Sequence, residues 1–180
     1  MYQNKTGLPS VTQVIGPYID KSWFLPEHAI RGTAVHGAIK AHLSGSWVAP
    51  LPADYQPYFD SGRRWTDLMV DRVILQEERL VHPTMGYCGQ MDLICTLRGD
   101  DSGCLVDFKT SQAPADWHPL QIAAYRELAM ADRGIDTTRG MTILFMADGS
   151  MAKMVEHPQD CSRHLNVFIG LVNAWKYFYK

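Results

Sequence analysis

The 180-residue chain has no run of about 18 apolar residues, so its sequence offers no membrane-spanning helix. It has no Cys-x-x-Cys pair. Cys88, Cys95, Cys104 and Cys161 stand apart, which argues against a zinc ribbon or a thioredoxin-type site. Glycine-rich phosphate loops of the Walker or dinucleotide type are absent, as are internal repeats and low-complexity segments. No excess of one charge is present either. The formal net charge is −2 and the pI about 6.4, which argues against a DNA-coating or architectural role, since that needs a broad basic field. Met1-Tyr2-Gln3-Asn4-Lys5 lacks the apolar core of a signal peptide. Three of the cysteines fall in strand patterns and read as small buried hydrophobes, so a reducing, cytosolic compartment is expected.

What is present is enough apolar material for a core: 46% hydrophobic and 11% aromatic residues. The length fits one domain, residues 1–180. Residues 1–71 read as a helical part, 72–157 as a sheet core carrying a helix at 116–133, and 158–180 as a C-terminal helix. Ser10-Val11-Thr12-Gln13 has capping-box spacing and opens a short helix. Helices are expected at 27–44 and 55–71, strands at 73–81, 87–97, 104–110, 141–147 and 151–156, and a last helix at 161–178. Pro119 and Gly134 bracket the helix between the third and fourth strands. The expected fold class is therefore α/β, or α+β with a mixed sheet flanked by helices, and not a doubly wound Rossmann fold.

Two strings interrupt the apolar strands, Gly89-Gln90-Met91-Asp92 and Asp107-Phe108-Lys109. Charged groups there carry a desolvation cost unless they are paired or hold a metal. Side chains alternate along a strand, so Leu105, Asp107 and Lys109 share a face, as do Cys88, Gln90, Asp92 and Ile94. Tyr87, Met91, Leu93, Cys95 and Leu97 take the other side. A hairpin turn centred at Gly99-Asp100 sets Asp92 opposite Asp107; a turn one residue later sets it opposite Lys109. Either register gathers the three on one face, with opposed Cβ atoms ~5 Å apart. Two aspartates that close repel unless they are protonated or bridged by a cation, and oxygen ligands of this kind suit Mg²⁺ or Mn²⁺. A buried Asp–Lys ion pair is the structural alternative.

Further strings carry a resemblance: Leu8-Pro9-Ser10-Val11-Thr12, Arg31-Gly32-Thr33-Ala34-Val35-His36, Glu78, Gly86-Tyr87-Cys88-Gly89-Gln90-Met91-Asp92, Asp107-Phe108-Lys109-Thr110 and Gln121-Ile122-Ala123-Ala124-Tyr125. In this order they resemble the PD-(D/E)xK nuclease superfamily, in the RecB-type branch that includes phage recombination exonucleases and the mitochondrial genome-maintenance exonuclease. The resemblance implies a restriction-endonuclease-like core and a metal-dependent deoxyribonuclease. It implies metal ligands from His36, Asp92, Asp107 and the Phe108 backbone carbonyl, for one or two Mg²⁺ or Mn²⁺ ions. It implies Lys109 as the fixed cation and Glu78 as a further ligand or water-positioning group. Glu77 points the other way, and strand parity favours Glu78. Gln121 and Tyr125 would border the site and touch DNA or support Lys109. No iron–sulfur cluster is expected, because only Cys161 lies near the C-terminus.

His42, His82, His118, His157 and His164 have no comparable context and read as structural or surface groups. Arg31, Lys40, Arg63, Arg64 and Arg79 are candidate DNA contacts. Trp23, Phe24 and Trp65 could stack bases or pack in the core. The expected activity is exonucleolytic, on linear or single-stranded DNA ends, in recombination, repair or replication. The alternatives are a nicking or structure-specific endonuclease and a catalytically degenerate DNA-binding subunit. A single-strand annealing or recombination protein is a candidate partner, and a homo-oligomer is allowed.

Overall fold

The computed structural model describes residues 7–20, 22 and 24–179. The Met1–Lys5 string and Trp23 lie outside the described residues. Helix α1 (Val11–Ile15) opens on the expected capping box: Gln13 N–H donates to Ser10 Oγ at 3.2 Å, and Ser10 N–H donates to Gln13 Oε1 at 2.9 Å. A 3₁₀ turn (Gly16–Tyr18) follows, then α2 (Pro26–Leu43) and α3 (Gln56–Met69). The sheet strands are β1 (Val70–Val81), β2 (Cys88–Leu97), β3 (Asp100–Lys109), β4 (Arg139–Leu144) and β5 (Lys153–His157). Helix α4 (His118–Arg133) joins β3 to β4, and α5 (Ser162–Phe178) ends the chain. Gly134 takes φ 66° just past α4, the left-handed cap that glycine adopts without steric cost.

The five strands lie in sequence order. β3 and β4 are parallel, and the other neighbours are antiparallel. The parallel pair requires the crossover that α4 supplies. One face packs on α2 and α3 through Val35, Ile39, Phe59, Trp65, Val106 and Phe108. The other packs on α1, α4 and α5 through Val14, Tyr87, Leu105, Ile122, Leu128 and Phe168. Helices therefore cover both faces, an α+β fold consistent with a restriction-endonuclease-like core. Among the described residues, no helix is long and apolar enough to cross a membrane.

Several boundaries differ from the sequence reading. β1 begins at Val70, so the first strand takes residues assigned to the helical part. β3 begins at Asp100, because the hairpin turns tightly at Arg98–Gly99. A two-residue turn would pair Asp92 with Leu105. Extra residues in β3 between Asp100 and Cys104 form a bulge that shifts the register by two and restores Cys95↔Cys104 and Leu93↔Val106. Continued by one pair, that register sets Asp92 opposite Asp107, the first of the two registers expected.

Strict alternation along β2 fails at Asp92. Tyr87 and Met91 belong to the α1–α4–α5 layer, whereas Leu93, Cys95 and Leu97 belong to the α2–α3 layer. The five were expected on one side. The β2–β3 ladder ends beside this break, at Leu93↔Val106.

Gly89 lies where α4 presses on β2. A Cβ there would stand 2.5 Å from Tyr125 Cε1. Gly89→Ala is expected to push Tyr125 off the sheet and cost about 1–3 kcal/mol of stability. Thermal unfolding of the purified variant checks this, and an unchanged Tm would contradict it.

Candidate active site

Where the β2–β3 ladder ends, the Asp92 carboxylate takes up a backbone donor. Its Oδ2 accepts the Phe108 N–H at 2.6 Å. Its Oδ1 lies 3.2 Å from His36 Nδ1, on α2. His36 Nδ1 is also 3.8 Å from Glu77 Oε1, on β1. His36, Glu77 and Asp92 each offer a ligand atom, all within 4.8 Å of one another. Glu77 sits opposite Asp92 in the β1–β2 register and accepts a hydrogen bond from Gln90 Nε2 at 2.6 Å. Its φ is 47°, left-handed for a non-glycine residue. Such strain concentrates at functional sites.

Glu78 does not join them. It pairs with Arg133 on α4 and lies opposite Met91. Parity along β1 separates the two glutamates, as expected, but it turns Glu77 toward His36 and Glu78 away. The backbone at Glu77 explains the inversion. The two single-residue register shifts of β1 against β2, between Val70 and Arg72 and between Val73 and Leu75, cancel in parity, but the left-handed Glu77 breaks the alternation, so that Gln76, which donates to Ser44 Oγ, and Glu77, beside His36, both turn toward α2.

Asp107 is buried and held by Lys109, whose Nζ lies 2.6 Å from Asp107 Oδ2. Burial pushes the Asp107 carboxyl up to about 6; Lys109 opposes the rise and Asp92 adds to it. Burial also raises the Glu77 carboxyl, again helped by Asp92. Burial alone would lower His36, but the Asp92 carboxylate more than offsets it and the imidazole is raised. Burial alone would raise Asp92, yet His36, Lys109 and the Phe108 amide together hold it below the ordinary range.

The donor set fits a divalent cation. Cis ligands of an octahedral ion with bonds of about 2.1 Å stand ~3 Å apart, close to the His36–Asp92 separation. Two carboxylates and an imidazole satisfy ions such as Mn²⁺ that accept both oxygen and nitrogen. Three crowded carboxylates facing Lys109 are the electrostatic situation that a cation relieves.

These shifts set a pH dependence for the metal-free protein. The folded state binds the Asp107 proton more tightly than the unfolded chain does. Ionising it therefore removes stability as pH rises from about 4 through 6. The raised His36 adds stability below its ordinary value of 6.5 that is lost as pH rises through its folded value. Asp92, lowered, contributes fully above 3.8 and loses its contribution only in stronger acid. Metal-free protein should thus unfold at a lower temperature at pH 8 than at pH 5.5. A cation that needs these groups deprotonated should raise Tm more at pH 8. Unfolding scans in chelator and in Mn²⁺ across this range check both, and a Tm gain independent of pH would contradict the second.

On α4, Gln121 Nε2 donates to Tyr125 Oη at 3.3 Å, while Gln121 Oε1 is buried without a protein partner. Burial and the nearby Asp107 charge hold the proton on the Tyr125 phenol. Gln121 and Tyr125 therefore meet on one face of α4, with the Tyr125 phenol near Asp107.

A cleft of about 850 Å³ opens from His36, Phe108 and Lys109 toward α2 and the loop after β3. Arg31 lines it, donating from Nη2 to Thr110 O at 3.0 Å, with its guanidinium 4.5 Å from the Tyr58 ring centroid. Phe24 also lines it, whereas Trp65 is fully buried against Phe108 and is a core residue. Of the other candidate DNA contacts, Arg63 lies near Asp60 and Asp67, Arg79 donates to Cys88 Sγ, and Lys40 and Arg64 are exposed.

His118, set aside in the sequence, is buried at the cleft beside Lys109. Its Nδ1 accepts the Ala115 N–H at 3.2 Å, which leaves the proton of the neutral ring on Nε2. Burial, with Lys109 next, lowers it to about 3. Its place three residues before Gln121, just after the Asp-x-Lys strand, was the available signal.

No protein-family profile matches the chain, and no curated protein matches it. Among solved structures, the alkaline exonuclease LHK-Exo from Laribacter hongkongensis is similar at 15% identity, with a TM-score of 0.37, over 95% of this chain and 91% of that one. That score is too low to carry an argument. A candidate exonuclease from Eubacterium rectale is similar at 10% identity, with a TM-score of 0.51, over 80% of this chain and 68% of that one. This second likeness shows the fold: a mixed five-stranded sheet between helices, consistent with a restriction-endonuclease-like core.

Proposed function

We propose that the chain is a single nuclease domain that hydrolyses phosphodiester bonds in DNA with Mg²⁺ or Mn²⁺, working from strand ends. The observation that carries this reading is the meeting of His36, Glu77 and Asp92 next to the Asp107–Lys109 pair, at the mouth of a cleft. The fold shared with the candidate exonuclease from Eubacterium rectale is compatible with it.

His36, Glu77 and Asp92 would hold the cation, with Asp107 and the Phe108 carbonyl as further ligands. When bound, the ion lowers the pKa of a water and neutralises charge on the phosphate. Asp92 is held in place for this by the Phe108 amide and by His36. Lys109 is a partly buried cation tied to Asp107. There it can meet the charge developing on the phosphate oxygens without reorganising. Arg31, fixed by the Thr110 carbonyl and the Tyr58 ring, faces the next anionic group in the cleft.

The test is digestion of end-labelled linear DNA and closed circular DNA in Mg²⁺, Mn²⁺ or chelator. Release of short products from linear DNA with either metal, and none in chelator, is expected. Cutting of closed circles would instead show an endonuclease, and no cutting with any metal would contradict the reading.

A further inference from the structure

His118 is a buried polar ring with half of its hydrogen bonding unused. It is 2% exposed, and its Nδ1 accepts the Ala115 N–H at 3.2 Å. A protonated ring would set one N–H against another there, so the loop before α4 holds the imidazole neutral, with its proton on Nε2. Burial and the Lys109 charge act in the same direction. Among the described residues, no protein group accepts from Nε2. Buried donors are nearly always paired, so an open one points to an acceptor that the free protein lacks.

The ring lines the cleft together with Lys109. Trp117 is the common neighbour of the two: its ring centroid lies 4.5 Å from that of His118 and 5.5 Å from Lys109 Nζ. Trp117 and the Ala115 amide thus fix the direction of the imidazole. The chemistry of the wall selects the acceptor. Among the described lining residues of the cleft there is no Asp or Glu, and the fixed charges are those of Arg31 and Lys109. A ring that only donates, beside a cation that only donates, suits a group that only accepts and is negative. Sugar hydroxyls and most base edges bring donors as well; a phosphate diester brings acceptors alone.

We infer that His118 is a further substrate-binding residue of this site, whose Nε2–H donates to a phosphate oxygen of the DNA strand lying against Lys109. The identity of that strand rests on the nuclease reading above. His118 neither takes up nor releases a proton in this role. It adds a dipole that is already oriented when charge grows on the phosphate, next to the full charge of Lys109.

Two substitutions separate this role from a structural one. Asparagine places an acceptor where Nδ1 stands and keeps the Ala115 bond, but it does not reach the place of Nε2. Glutamine places an N–H near Nε2 and gives up the Ala115 bond. At saturating Mn²⁺ and DNA, His118→Asn is expected to cut end-labelled linear DNA about 10–100-fold more slowly than the wild type, and His118→Gln to recover most of that loss. If the ring only braces the loop, the order reverses, with Asn behaving as the wild type and Gln impaired. Thermal unfolding verifies that both variants are folded. Nuclear magnetic resonance of the full wild-type chain with ¹⁵N-labelled histidine, in chelator, observes the ring directly. The His118 Nε2 proton should move downfield on titration with a thymidine dinucleotide, which carries one phosphate, and stay in place with thymidine, which carries none. Wild-type rates in folded His118→Asn would overturn the inference, as would a ring proton that responds to both probes alike or to neither. If the wild type cuts no DNA with any metal and the ring proton still responds to the dinucleotide alone, the nuclease reading fails and the phosphate contact stands.

Discussion

Lys109→Ala is expected to lower the cleavage rate by about 10²–10³-fold, the usual loss when one preorganised charge facing the transition state is removed. The structure gives a reason to expect the protein to survive the change. Removing Lys109 leaves Asp107 buried without its cation. A buried carboxylate stripped of its partner normally costs several kcal/mol. Asp107, however, is already pushed up to about 6 by burial. It can take a proton and become neutral, so the stability loss should shrink at pH 5.5 relative to pH 8. Lys109→Arg retains the charge and an ion pair to Asp107, but its planar fork cannot occupy the place of a compact ammonium. It should keep the fold and recover little of the rate. Single-turnover cleavage with saturating Mn²⁺ measures the first effect and thermal unfolding the second. Wild-type rates in folded Lys109→Ala would remove the lysine from the mechanism.

The second large effect separates two adjacent residues. Glu77→Gln is expected to weaken Mn²⁺ binding by at least ~10-fold, and cleavage at limiting metal should fall with it. Loss of a group that merely orients a ligand typically costs 10–100-fold; a direct donor should cost no less. Gln preserves the shape and the contact with Gln90, so the result isolates the charge. Glu78→Gln should leave metal affinity unchanged. Its partner is the exposed Arg133, and a solvent-exposed ion pair contributes about 0–1 kcal/mol. Calorimetric titration of the two variants with Mn²⁺ distinguishes them. An effect of Glu78→Gln with none from Glu77→Gln would restore the assignment that strand parity alone suggests.

That reversal shows what the sequence could carry. The helices with strong end signals are read closely, because their caps are local chemistry. Ser10 and Gln13 close a capping box, and Gly134 stops α4. The hairpin partners Asp92 and Asp107 are also within reach, because the bulge in β3 shifts the register by two and a shift of two preserves the facing side chains. Glu77 is out of reach for a different reason. One left-handed residue breaks the alternation of β1, and nothing local in the sequence marks it. His118 is hidden in another way. It reads as one histidine among seven until the fold of the loop after β3 sets it beside Lys109. The break of alternation at Asp92 belongs to the same class, since the strand pair has to separate before an aspartate can cap the Phe108 amide.

The claim on which the rest depends is that His36, Glu77 and Asp92 form a metal centre. Anomalous diffraction from crystals grown with Mn²⁺ tests it most directly. The account predicts a strong peak within coordination distance of His36, Glu77 and Asp92, on the side facing Asp107. A map with no peak there, or with its main peak beside Glu78 and Arg133, would contradict it.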